Sequence, residues 1–263
     1  MDFASRWREI MAGPQEALPL DEAAFLIAAV ADNRVDVRAQ LARLDDVAAQ
    51  IGPADTAQLC EFVFGSLGLR GDRATYDDPR NSYLDQVLDR RLGIPISLSV
   101  LVIEIGRRCG VRLEGVGMPG HFLVRDPREP DLLIDAFSGG RRLDYNACAD
   151  LFRAVAGADV PLHPGYLAPV GPRSILTRML TNLDHSFRRR DDKQGIGWVT
   201  RLRTAIPGQS LAEHIALADT LAGLGHVDEA ATHLEGLAQS PQTPSEAAKG
   251  LRARARGLLA PFN

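Results

Sequence analysis

The sequence predicts an α+β protein, mainly helical with a small antiparallel sheet, followed by an α-helical repeat module. Three observations carry this expectation. Apolar residues recur at helical spacing through residues 1–70, two apolar segments within 114–137 are separated by the turn-forming run 126–130, and the C-terminal part repeats at an offset of 34. The expected division is a first domain over 1–165, with a helical layer at 1–75 and a core at 76–150, and a repeat module over 166–263.

In chain order, Asp21 is placed to cap a helix in which Ala24, Phe25, Ile27, Ala28 and Ala31 share a face. Val37, Leu41, Leu44, Val47 and Ile51 repeat the pattern, and Leu59, Phe62 and Val63 give a third helix from about Thr56 to Leu67. These helices read as a packing layer. Residues 77–80, Asp-Asp-Pro-Arg, make a turn, after which Asn81 or Ser82 caps a helix running to Arg91. Gly-Ile-Pro at 93–95 then opens an apolar helix over 96–109, stopped by Gly110, which suits a left-handed terminal residue.

Glu114 to Arg125 and Leu132 to Phe137 read as two strands. Pairing them about residue 128 sets Arg125 against Asp131, Leu123 against Leu133 and His121 against Asp135. That register yields one charged pair, one apolar pair and one imidazole–carboxylate pair, all favourable across an antiparallel ladder. Farther on, Pro207 and Pro241, Leu183 and Leu217, and Phe187 and Leu221 stand 34 apart, and Gly225 to Ala231 has the turn and helix start of a tetratricopeptide repeat. Two repeat units do not stand alone, so they are expected to pack against the first domain or a final helix over 246–259.

Composition narrows the function. A formal net charge of -4 removes the broad basic field that non-specific nucleic-acid binding needs, so no nucleic-acid partner is expected. The longest apolar run, Ile94 to Ile103, stops at Glu104, short of the roughly 20 residues of a spanning helix, and no membrane partner is expected. Asp2, Arg6, Arg8 and Glu9 interrupt any apolar leader, which points to the cytoplasm. Cys60, Cys109 and Cys148 are odd in number and lack Cys-x-x-Cys pairing, which argues against a disulfide framework or a zinc site. His163 lies in a Pro-rich linker and His185, His214, His226 and His233 on repeat helices or turns, where they read as surface or interface residues, so no metal or other cofactor is expected.

His121 opposite Asp135 has a mechanistic signature. A carboxylate that holds one ring nitrogen leaves the other to act as a base toward a nucleophile, although the same pair also suits a structural histidine. The runs Asp-Pro-Arg-Asn-Ser (78–82), Arg-Arg-Leu-Gly-Ile-Pro-Ile-Ser-Leu (90–98), Gly-Val-Gly-Met-Pro-Gly-His-Phe-Leu-Val-Arg (115–125) and Ile-Asp-Ala-Phe-Ser-Gly-Gly (134–140) closely resemble the SirB1 family. That family has a transglutaminase-like N-terminal domain and C-terminal tetratricopeptide repeats, and the resemblance covers nearly the whole chain.

The resemblance implies a cysteine-protease-like core in which a nucleophilic cysteine at the N-terminus of the core helix is followed by histidine and aspartate on adjacent strands. His121 and Asp135 match the last two. The cysteine position, fifteen residues before Gly110, is Pro95. The implied protein is a non-catalytic one, whose cleft, lined by Asn81, Ser82, Pro95 and His121, holds a ligand while the C-terminal repeats bind a protein or peptide partner. The alternative is a hydrolase or acyl transferase that uses His121 and Asp135 with Ser97 or a water. Ser97 stands in the first turn of the helix, where free amides favour an oxyanion, yet such a hydroxyl ordinarily bonds locally. A small-molecule sensor using the same pocket is a third expectation.

Overall fold

Three of the first four helices begin on an aspartate that accepts first-turn N–H groups, the arrangement that satisfies donors left over at a helix start. Asp2 does so for α1 (Phe3–Ala12), Asp36 for α3 (Val37–Ala49) and Asp55 for α4 (Thr56–Cys60). Between the first two lies α2 (Leu20–Ala31), which is apolar on nearly all sides and correspondingly buried from Leu20 to Ala29 except at Glu22. The computed structural model describes residues 2–157 and 160–260.

Asp21 is not the cap of α2. Pro19 occupies that position without a side-chain bond, and Asp21 lies one residue inside the helix. Its carboxylate instead meets Arg107 and Arg108 at 2.9 and 2.7 Å. After α4 the chain makes a wider turn over Glu61–Ser66 and passes through β1 (Arg70–Gly71), a 3-10 turn at Pro79–Asn81, α5 (Leu84–Arg90) and β2 (Leu92–Gly93). β1 and β2 pair in parallel.

The core helix α6 runs from Pro95 to Arg108 and is buried from Pro95 through Gly106. Gly110 follows with φ +80°, as the sequence predicts for a left-handed terminus. Helices α2, α3, α4 and α5 pack against α6. So do β3 (Glu114–Val116), β4 (Leu123–Arg125) and the turn at 136–138.

β5 (Leu133–Asp135), β6 (Arg141–Leu143) and β7 (Pro169–Val170) complete an antiparallel sheet in the order β6-β5-β4-β3-β7. Helix α7 (Tyr145–Ala156) contributes Cys148 and Phe152 to a cluster with Val116, Met118, Leu123, Leu133 and Leu143. Each such fully buried large aliphatic side chain contributes about 1.5–3 kcal/mol relative to an exposed one.

Two sequence expectations change here. Residues 114–125 are not one strand: β3 and β4 form a hairpin in which Glu114 pairs with Arg125 and Val116 with Leu123. Pro119 has no N–H for a ladder and Gly120 adopts φ +75°, so the chain reverses at Met118–Gly120. The β4–β5 register also differs, with Val124 opposite Ile134 and Arg125 opposite Leu133. The shift is two residues along β5, so every side chain keeps its face.

Two compact units divide at Ser186/Phe187, downstream of the expected 165/166 boundary. The boundary falls inside α8 (Pro172–Arg189), whose early turns are tied to the first unit. Arg173 donates to Met11 O at 2.9 Å and Arg178 to Met118 O at 2.9 Å. The second unit contains α9 (Lys193–Thr204), α10 (Leu211–Gly223), α11 (Val227–Gln239) and α12 (Ser245–Leu259). An offset of 34 carries the first residue of α9 onto the first of α11. Ala218, Leu221, Ala230, Leu234, Leu251 and Ala255 form its core, so the extra terminal helix does cover the pair before it. Phe187 and Trp198 meet edge to face at 5.6 Å in this unit.

Candidate functional site

Pro95 is the first residue of α6, where its fixed φ is helical and its missing N–H costs nothing. No nucleophile stands at that position. Ser97, two residues on, is fully buried. Its hydroxyl accepts from Ile94 N at 3.1 Å and donates to Asn81 O at 2.5 Å. That is the local bonding of a first-turn hydroxyl, here also fastening the 79–81 turn to the core helix. Ser97→Ala is expected to lower stability by about 1–2 kcal/mol, the loss of a buried capping hydroxyl. Urea denaturation measures the loss, and an unchanged His121 imidazole NMR signal confirms that the hydroxyl serves the scaffold and not the dyad.

Asn81 does not cap α5, whose cap position is Tyr83. The Asn81 side chain is wholly buried, donating to Thr75 O at 2.7 Å and accepting from Arg90 Nη1 at 3.0 Å. Ser82, the other expected cap, is also buried. Pro95 is buried with Asn81 and Ser82.

The histidine and aspartate are brought together. His121 Nε2 lies 2.8 Å from Asp135 Oδ1. The contact is diagonal across the hairpin, because in the observed register Asp135 lies opposite position 123. Asp135 Oδ1 also accepts Phe137 N at 3.0 Å and Ser138 N at 3.2 Å. Burial pushes the carboxyl upward, but His121 and the Ser138 amide outweigh it, and its pKa stays below the ordinary range. An ionised Asp135 assigns the hydrogen to Nε2, leaving Nδ1 as the basic nitrogen, with no hydrogen-bond partner among the described residues.

A short aromatic chain adjoins the pair through Phe137. The Phe137 ring meets His121 edge-on at 6.2 Å and Tyr76 at 5.8 Å, while the Arg73 guanidinium lies 5.1 Å over it. Phe137 is held by the close approach of β1: a Cβ on Gly71 would sit 2.5 Å from both the Phe137 carbonyl and its ring. Tyr76, Arg73 and Gly71 escaped sequence reasoning, since nothing local links them to residues some sixty positions on.

Burial raises all three thiols. Burial pushes Cys60 to about 11 and does the same for Cys148, with Asp144 and Asp135 adding to the latter. Cys109 is also raised by burial. A thiol at about 11 is some two orders of magnitude poorer in thiolate at neutral pH than a free cysteine. N-Ethylmaleimide at pH 7.5, followed by intact mass, is therefore expected to label Cys60 and Cys148 at least a hundredfold more slowly in the folded chain than in urea. Among the described residues no group of three or more His, Cys, Asp or Glu could hold a metal ion, and no helix is long and apolar enough to cross a membrane.

A core helix packed on an antiparallel sheet, with the histidine just before β4 paired to the aspartate that ends β5, defines the class as transglutaminase-like. Residues 30–181 match the transglutaminase-like superfamily, and the chain belongs to it. A UPF0162 protein of Xylella fastidiosa (strain 9a5c) is 39% identical over 190 residues, covering 67% of this chain and 68% of the relative. A UPF0162 protein of Pseudomonas aeruginosa is 36% identical over 177 residues, covering 64% of this chain and 65% of that one. F-box only protein 21 of Homo sapiens is 35% identical over 130 residues, which are 46% of this chain and 20% of that protein. No solved structure gives a significant match.

Proposed function

We propose that this protein is a non-catalytic transglutaminase-like protein of SirB1 type, a cytoplasmic component that binds a peptide or protein partner. The observation that carries the reading is Pro95 at the start of α6, in a chain that keeps an intact His121–Asp135 pair. The neighbouring groups support it. Ser97 has its hydroxyl engaged with Asn81 O, and all three thiols are raised by burial. Without a nucleophile, Nδ1 of His121 remains useful as an acceptor for a ligand N–H or O–H. The C-terminal helices, read as tetratricopeptide-like, offer a second peptide-binding element.

The intact dyad also favours one competing reading, hydrolysis by a water that His121 activates. Incubation with activated esters and mixed peptides, followed by product analysis and intact mass, separates the two. The binding reading expects no acyl adduct and no turnover above a His121→Ala control. Turnover that the His121→Ala variant loses overturns it. The contribution of the repeats is tested by truncation after Ser186, which spares the part of α8 bound to the first unit. Retention of every specific partner by that truncated chain defeats the repeat half of the proposal.

A further inference from the structure

Two histidines of the C-terminal unit meet between neighbouring helices. His214 stands in the first turn of α10 and His233 in the middle of α11. His233 Nε2 lies 3.2 Å from His214 Nδ1, with ring centroids 5.1 Å apart and ring planes at 51°. The core of this unit is otherwise alanine and leucine. Both rings are half-buried, and burial disfavours their charged forms, a cost that an aliphatic pair at the same place would not carry.

The spacing is that of two ligands on one ion. Zinc–nitrogen bonds of about 2.0–2.1 Å at a tetrahedral angle set two imidazole nitrogens about 3.3 Å apart, whereas a square-planar ion sets them about 2.9 Å apart. Each ring centre lies about 1.2 Å behind its nitrogen, so two rings aimed at one tetrahedral ion have centres about 5.2 Å apart. The observed 3.2 and 5.1 Å match that arrangement on both counts. Rings aimed straight at each other across the same gap would have centres about 5.5 Å apart, so an N–H···N bond reaches the observed value only when bent, which weakens it.

Neutral imidazole is the ligating form, and burial favours it in both rings. The nearest carboxylates on the two helices are committed elsewhere. Glu213 accepts from Ser210 N at 2.7 Å in the cap of α10, and Glu229, one turn before His233, binds Arg201 at 2.6 Å. Two protein ligands therefore leave the rest of a tetrahedral shell to water or to a donor group of a bound ligand, the pattern of an open site.

Independently of how the dyad is read, we propose that His214 and His233 form a two-histidine zinc site that clasps α10 to α11 and keeps two coordination positions open.

The test uses tag-free, EDTA-treated full-length protein with ZnCl2, and MgCl2 as the control. Long-range proton–nitrogen NMR of the imidazoles needs no variant. Zn2+ should shift His214 Nδ1 and His233 Nε2 together, with His121, His163, His185 and His226 unmoved and Mg2+ without effect. By titration calorimetry, His214→Gln and His233→Gln should each weaken Zn2+ binding at least tenfold, whereas His163→Gln should not. Zn2+ should also raise the unfolding midpoint of this unit, read from Trp198 in a Trp7→Phe background, and the rise should vanish in both variants. If the two signals stay in place under excess Zn2+, or the double variant binds Zn2+ as well as the wild type, the histidines are a hydrogen-bonded pair only and the site is wrong. A shift of one imidazole without the other would likewise overturn the clasp, because the ion would not be shared.

Discussion

Arg108→Ala is expected to cost about 3–5 kcal/mol of folding stability, the penalty for stranding buried charge. Arg108 is only 12% exposed and reaches three carboxylates: Asp21 at 2.7 Å, Asp45 at 2.6 Å and Glu104 at 3.3 Å. Asp21 and Glu104 are themselves 7% and 5% exposed. Arg107 also bridges these two, but its side chain is 58% in water and cannot replace the buried partner. Burial and the nearby Asp21 charge already raise Glu104, whereas for Asp21 the bond to Arg108 overcomes burial and lowers it.

Removing Arg108 leaves both carboxylates closer to neutralisation, and Glu104 rises further. A carboxyl raised in the folded state binds more protons there than in the unfolded chain, so its stabilising contribution is lost as pH rises through its folded pKa. The deficit of Arg108→Ala should accordingly be larger at pH 8 than at pH 5. Urea midpoints for the wild type and variant at both pH values measure it. A loss below about 1 kcal/mol, the value of an exposed pair, would show that the cluster is solvated.

The same cluster marks where sequence reading stops. Local periodicity was enough for α2, α3 and α6, because their apolar faces repeat within a few residues and Gly110 announces the end of α6. Asp21 looked like a cap because capping is a local rule, and its true partners lie 86 and 87 residues away. The hairpin at Met118–Gly120 was signalled by Pro119 and Gly120 within an otherwise strand-like run, and alternation alone concealed it. The dyad survived a wrong register because strand faces alternate with period two, so an even shift preserves which side chains can meet. Arg178 left no such trace, being 57 residues from His121 in sequence and joined to it through the Met118 carbonyl that both donate to. The parts of the site fixed by local pattern were legible, and those fixed by how α8 and the 72–76 segment pack around it were not.

Acidification from pH 6.5 to about 4 is expected to weaken the C-terminal unit by about 2 kcal/mol beyond the effect of its carboxylates. The cause is a histidine pair on α10 and α11: His233 Nε2 lies 3.2 Å from His214 Nδ1, with ring centroids 5.1 Å apart. Burial, and then the charge of His214, pushes His233 down to about 4. Burial also lowers His214, against the pull of Glu213. In the unfolded chain both rings titrate near 6.5. Between that value and about 4 the unfolded state therefore binds more protons, and stability must fall as pH falls. Full separation of the two values would be worth about 3 kcal/mol for His233, reduced here because both rings are only half-buried. Carboxylates elsewhere titrate in the same range, so the informative quantity is the difference between wild type and His233→Gln. Trp198 fluorescence in a Trp7→Phe background reports the unfolding midpoint of this unit alone. The wild type should lose stability more steeply than His233→Gln between pH 6.5 and 4.5; parallel curves would mean that the pair stays solvated and that its close approach is sustained at no electrostatic cost.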